Sequence, residues 1–285
     1  MTAGRPMARA ADCAPVVSPG AALVERDGAP NPAVALVTGA SSGIGAATAR
    51  TLAAAGYHVV MVARRADVLA GIADGIRAAG ATASVLAMDL ACDEGPERVV
   101  AQTVQQVGTP EVLVNCAGVV RYQQVHELRP RHWDLMFRLN VTAPFLIIRA
   151  VLPHMRSQRS GTIVNIGSAV AMSTVGHTAG YAASKRALNA LTESVALENR
   201  EHGVRAVALC PGWVHTPLSP PPDSLGATPD ELLSADDVAA AVLWVVTRPP
   251  HMSVGPVVPL GPTSPHADMA QAIDRLSRMT EAPSG

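Results

Sequence analysis

The stretch Val34-Ala35-Leu36-Val37-Thr38-Gly39-Ala40-Ser41-Ser42-Gly43-Ile44-Gly45 carries the reading of the fold. Its first five residues form a short apolar run of the kind a fully buried strand shows. A glycine-punctuated turn follows, and then an alanine-rich stretch that predicts a helix to about Ala55. Gly39 permits a tight exit from the strand, Gly43 lets the backbone approach a pyrophosphate, and Gly45 lets the helix sit close to the sheet. The helix N-terminus beyond them offers unpaired N–H groups and a partial positive charge. Ser41, Ser42 and Ile44 complete this turn. Glycine-rich turns are common, but one placed between the first strand and first helix of a βαβ unit reads as a dinucleotide-phosphate site.

Working outward, the same alternation continues. Tyr57 to Ala63 predicts a second strand, with a helix to about Ala79. Ala81 to Met88 predicts a third, with a helix over Asp93 to Val107, and Val112 to Asn115 a fourth. A helical stretch begins near Pro130, is expected to break around Asn140 to Pro144, and resumes to about Gln158. Thr162 to Ile166, Val204 to Leu209 and Val254 to Pro259 complete seven strands, with a long helix over Ala179 to Glu201 and another N-capped by Ser234. Short apolar strands alternating with helices give an α/β fold: a Rossmann-type, doubly wound, mostly parallel sheet with helices on both faces. Its ligand crevice belongs at the carboxyl ends of the strands. We place this domain at 33–262.

Before it, residues 1–32 are rich in Ala, Pro and Gly without periodicity, and are expected to be a disordered extension. After it, residues 263–285 carry Met269, Ile273, Leu276 and Met279 at helical spacing, which suggests a short packing helix.

Composition narrows the function classes. The 285 residues are 48% hydrophobic, with a net charge of −1, so no basic field points to nucleic acid or an anionic membrane. No sequence run reads as the roughly 18 apolar residues of a membrane span. Cys13, Cys92, Cys116 and Cys210 are scattered without a CxxC pair, which argues against a zinc site or disulfide framework. The N-terminus lacks a secretory apolar core, and a reducing cytoplasm is the expected location. Among 22 basic residues, Lys185 is the single lysine. A position that keeps Lys in an arginine-biased chain is a candidate for chemistry that Arg cannot do.

The second strand selects the dinucleotide. NAD sites place an acid near its end to accept from the ribose diol, but here the strand ends Ala63-Arg64-Arg65. Two guanidiniums suit the 2′-phosphate of NADP(H) better than they suit NAD(H).

Tyr181 and Lys185 lie four residues apart in a predicted helix, on one face. A phenol titrates near pH 10 and transfers protons poorly at neutrality, whereas a neighbouring ammonium favours the phenolate. Ser168 ends the fifth strand at the crevice edge, where its hydroxyl can hold a substrate oxygen. Asn140 falls where the helix breaks, leaving backbone carbonyls free to hold a water.

Taken together, these stretches resemble the short-chain dehydrogenases/reductases over about Ala33 to Leu260. The resemblance rests on TGASSGIG (38–45), Asp89-Leu90, Asn115-Cys116-Ala117-Gly118, Asn140, Ser168, YAASK (181–185) and Pro211 to Thr216. It implies a hydride-transferring oxidoreductase acting between a carbonyl and an alcohol. Tyr181 would be the acid/base, Lys185 would lower its pKa and hold the nicotinamide ribose, Ser168 would orient the carbonyl, and Asn140 would hold a relay water. Asp89 and Leu90 would flank the adenine, and Asn115, Ala117 and Gly118 would line the cofactor cleft. Pro211 and Gly212 would help bind the cofactor, and the backbone near Val214 with the Thr216 hydroxyl would fix the carboxamide. Relatives are commonly homodimers or homotetramers through two long helices. One departure is Cys116, where the family commonly has a second Asn; a packing change is expected.

His177 and Trp213 are candidate substrate contacts, and Arg121 and Tyr122 could read a polar substrate group. Trp133, Phe137 and Phe145 read as core or subunit interface. The Leu218 to Leu233 loop sits where relatives carry a substrate lid. The competing readings are a catalytically silent NADP-binding sensor and an epimerase or dehydratase on the same scaffold.

Overall fold

The computed structural model describes residues 32–262, so the expected N-terminal extension, all but its last residue, and the C-terminal helix lie outside the described residues. Seven strands form one sheet: β1 (Val34–Thr38), β2 (His58–Ala63), β3 (Ala83–Ala87), β4 (Pro110–Asn115), β5 (Gly161–Ile166), β6 (Val204–Pro211) and β7 (Val257–Leu260). Their order is β3-β2-β1-β4-β5-β6-β7, with every neighbouring pair parallel. Helices α1 (Gly43–Ala54), α2 (Ala66–Ala78), α3 (Gly95–Gln106), α4 (Pro130–Phe137), α5 (Ala143–Gln158), α6 (Ala179–Asn199), α7 (Pro222–Leu225) and α8 (Ala235–Val246) make the connections.

Every residue of β1 and β5 is buried, because each strand is covered on both faces. Alternate side chains therefore enter different cores. Ala35, Val37, Val59 and Met61 pack with Leu52 of α1, Leu69 of α2 and Val242 of α8. Val34, Leu36, Val60 and Val62 pack with Val99 of α3, Ile147 and Val151 of α5 and Val195 of α6. The strand order reverses at β1, which pairs with both β2 and β4 and so opens the crevice between their carboxyl ends.

A buried polar ladder ties that crevice to α6. Asn115 Nδ2 donates to Asn165 Oδ1 at 2.9 Å, Asn165 Nδ2 to Thr192 Oγ1 at 2.8 Å, and Thr192 Oγ1 to the Leu188 carbonyl at 2.7 Å. Ser234 caps α8 as expected, accepting from Asp237 N at 3.1 Å while the Asp237 carboxylate takes Ser234 N at 2.7 Å.

Three features differ from expectation. β3 is shorter at both ends, and β7 starts at Val257 rather than Val254. The break expected near Asn140 is not a break: Arg138–Thr142 is a π-helical turn that joins α4 to α5. Its Ala143 N–H reaches back to the Arg138 carbonyl. Pro144 explains the widening, since it has no N–H for the Asn140 carbonyl one turn back.

The run Pro130–Gln158 is long and apolar enough to cross a membrane by length and composition. Its apolar residues have another use here, because Met136, Ile147, Ile148, Val151 and Met155 are buried in the protein. Trp133 stacks on Phe137 at 4.6 Å, and Trp133 and Phe145 are 39% and 44% exposed, so these two are surface rather than core.

Candidate active site

The crevice is a cleft of about 520 Å³ running across the carboxyl ends of the strands. At one end it is lined by Gly39, Ser41, Ser42, Gly43, Ile44, Arg64, Arg65, Asp89 and Leu90, and at the other by Ser168, Tyr181, Lys185, Gly212, Val214 and Thr216.

The first end is built by close backbone approach. Gly39 has φ +68°, and a Cβ there would sit 2.8 Å from Ala117 N; a Cβ on Gly45 would lie 2.4 Å from the Gly39 carbonyl. Thr38 Oγ1 accepts from Cys116 N and Ala117 N at 3.0 and 3.1 Å, fixing the β4 exit against the glycine turn. Ser42 N-caps α1 without a side-chain bond, so the first-turn N–H groups face the cleft unclaimed by it. Arg65 Nη2 donates to Ser41 Oγ at 2.9 Å and to the Ser41 carbonyl at 3.3 Å. Arg64 and Arg65 are exposed, and no carboxylate pairs with either among the described residues. Asp89 turns inward on its own loop, with Oδ1 accepting from Ala91 N at 3.0 Å. Unclaimed N–H groups, a side-chain-free glycine cradle and two exposed guanidiniums without a carboxylate partner among the described residues fit a dinucleotide with an extra phosphate.

The second end is built by burial. Lys185, on α6, is 5% exposed and donates from Nζ to the Ile166 carbonyl at 2.7 Å. Its ammonium lies 5.7 Å from the centre of the Tyr181 ring, one helical turn away. Tyr181 and Ser168 both line the cleft, with the Ser168 side chain near enough to act on the phenol. Burial pushes Tyr181 up to about 12, with the Ser168 hydrogen bond opposing it. Burial also brings Lys185 down to about 8. In both cases burial is the largest cause, because it penalises the charged form of each group.

Some expected residues stand elsewhere. Asn140 is fully buried and does not line the cleft. Its Oδ1 accepts from Val119 N and its Nδ2 donates to the Val119 carbonyl, each at 2.9 Å, and to Ser184 Oγ at 3.0 Å. The side chain is thus spent on the protein, and only the main chain of the π turn is available to a water. Asn115 points into the sheet ladder instead of the cleft, while Cys116, Ala117 and Gly118 after it are lining residues. Trp213 lies behind the wall: Gly212 and Val214 face the cleft, and alternation sends the indole into a cluster with Leu225, Ala227 and Leu232. There it tilts against Tyr122 at 6.4 Å. His177 is outside the lining, held at φ +60° with its carbonyl accepting from Gln123 N at 2.9 Å. Cys116 lies against the Tyr181–Lys185 pair, and burial pushes its thiol up to about 12, far from nucleophilic.

Thr38 and Ser184 were not singled out by sequence. Ser184 Oγ donates to the Tyr181 carbonyl at 2.7 Å and accepts from Asn140, joining the π turn to the start of α6. Their place inside the quoted motifs was the available signal.

Residues 33–223 match the family model described as short chain dehydrogenase. The chain is 36% identical over 225 residues to an uncharacterised oxidoreductase of Staphylococcus saprophyticus, covering 79% of this chain and 95% of that one. It is 37% identical over 210 residues to the short-chain reductase protein NovJ of Streptomyces niveus, covering 73% and 80%. A solved metagenomic short-chain oxidoreductase in complex with NADP superimposes with a TM-score of 0.72 at 34% identity, covering 82% of this chain and 98% of that one. The parallel sheet, the glycine turn and these matches agree, and the chain is an oxidoreductase that belongs to the short-chain dehydrogenase family.

Proposed function

We propose that this protein is an NADP(H)-dependent oxidoreductase interconverting a carbonyl and an alcohol, with Tyr181 as acid/base. The observation that carries the reading is the meeting of Ser168, Tyr181 and Lys185 at one end of a cleft whose other end holds Ser41, Arg64 and Arg65. The NADP complex of the similar metagenomic oxidoreductase supports the choice of cofactor.

When bound, the nicotinamide would supply the hydride and, once oxidised, a positively charged ring. Arg64, Arg65 and Ser41 would hold the 2′-phosphate, and the first turn of α1 the pyrophosphate. Lys185 and the Pro211 to Thr216 segment would hold the nicotinamide end. Ser168 and Tyr181 would both donate to the substrate oxygen. In reduction that oxygen gains negative charge, and Tyr181 passes it a proton. The tyrosinate left behind is stabilised by the Ser168 hydroxyl and the Lys185 ammonium, and is reprotonated from solvent. The π turn, with the Asn140 carbonyl lacking its usual N–H, offers a seat for a water in that return path.

Self-association belongs to the same reading. Phe145 on α5 and Leu197 on α6 are 44% and 69% exposed, on the two long helices through which we propose that copies pair.

The test is NADPH oxidation against a panel of ketones and aldehydes, repeated with NADH. Turnover with preference for NADPH is expected. Tight NADPH binding with no turnover of any carbonyl or alcohol would overturn the reading in favour of a silent binding protein.

A further inference from the structure

The π turn touches both ends of the cleft. Its first residue, Arg138, donates from Nε to the Ala91 carbonyl at 3.0 Å and pairs through its guanidinium with the Asp93 carboxylate. Ala91 follows Asp89 and Leu90 in the loop that lines the adenosine end. Two residues further on, Asn140 clamps both main-chain groups of Val119 and holds Ser184, which holds the Tyr181 carbonyl. A Cβ on Gly118 would lie 3.2 Å from Asn140 Oδ1 and 3.7 Å from Lys185 Nζ, so the amide and the ammonium converge on one point of the β4 exit.

A π turn is poorly determined by its own hydrogen bonding, and Pro144 removes one more bond here. Its shape is therefore set by what its side chains grip. Resting on the cofactor reading above, we propose that Arg138 is a positioning residue that links the adenosine end to the reaction end. Docking at the Asp89–Ala91 loop steadies Arg138, and through the π turn steadies Asn140, Val119 and the start of α6.

The operative contact is the bond to the Ala91 carbonyl. The Asp93 side chain is 72% exposed against 26% for Arg138, and an ion pair so wet contributes little. Lysine could keep the charge but has no Nε–H to aim at that carbonyl.

The experiment uses the full chain and 2′,5′-ADP, which can fill only the adenosine end. The readout is hydrogen exchange at the Val119 amide, which donates to Asn140 Oδ1. Saturating 2′,5′-ADP is expected to slow that exchange by about 2- to 10-fold, the weight of one hydrogen bond. The slowing should vanish in Arg138→Gln and Arg138→Lys, although both still bind the nucleotide, and should survive in Asp93→Asn. At saturating NADPH, kcat should fall in both Arg138 variants and hold in Asp93→Asn. Slowing that persists in the Arg138 variants, or no slowing in the unaltered protein, would overturn the link. If 5′-ADP binds and 2′,5′-ADP does not, the choice of NADP fails instead, and the same comparison is made with 5′-ADP. Binding of neither overturns both.

Discussion

The two ends of the cleft are built on opposite principles. At the adenosine end the recognising groups are long, exposed and weakly tethered: among the described residues no carboxylate pairs with Arg64, and Arg65 rests on Ser41. At the reaction end Ser168, Tyr181, Lys185 and Asn140 are buried or turned into the protein and cross-linked to main chain on three elements. Binding a phosphate asks only for charge and reach. Proton transfer asks for a pKa, and burial sets that before any ligand arrives. The first kind of site tolerates change residue by residue, whereas the second fails as a unit.

Lys185→Met gives the largest expected contrast. Activity should fall by about two orders of magnitude or more, because the tyrosinate loses its nearby positive charge. Stability at pH 7 should rise by about 1 kcal/mol, once relief of the buried charge is set against the unsatisfied Ile166 carbonyl. The sign follows from burial bringing Lys185 from 10.5 to about 8. Between those values the unfolded chain holds the extra proton, so wild-type stability rises with pH across that window and the variant's does not. Denaturant melts from pH 7 to 10.5 measure both.

Arg65→Ala should act at the other end alone. NADPH affinity is expected to fall by about 5- to 30-fold, with kcat at saturation and NADH affinity changed less than about 2-fold. Fluorescence titration with each nucleotide would check this, and an equal loss for both would contradict a phosphate-reading role.

How much of this was legible follows the same division. The parallel sheet and the glycine turn were readable, because parallel strands write continuous apolar runs and a glycine turn shows in residue type alone. The π turn was not. Its residues look like a helix broken by Pro144, and nothing in composition separates a break from a widened turn. Nor was the fate of Asn115 and Trp213, which depends on which way a residue beside the cleft alternates.

The smallest expected effect lies outside the cleft, at the start of β2. His58 is buried, with Nε2 against Ser84 Oγ at 2.9 Å, and burial followed by the Arg77 charge lowers its pKa from the ordinary 6.5. The folded state resists its protonation, so stability should be complete above about 6.5 and fall as pH drops through the lowered value. His58→Gln should flatten that slope in thermal melts from pH 7 to 4.5 without changing turnover at pH 7.

On the proposed mechanism the cleft-lining phenol of Tyr181 moves the proton while other groups bind the cofactor. This is tested most directly by Tyr181→Phe, measured for NADPH affinity and for NADPH oxidation with the best carbonyl found. Turnover is expected to fall by about 100- to 10,000-fold with affinity held within about 2-fold. A variant that turns over within about 10-fold of the unaltered protein would contradict it.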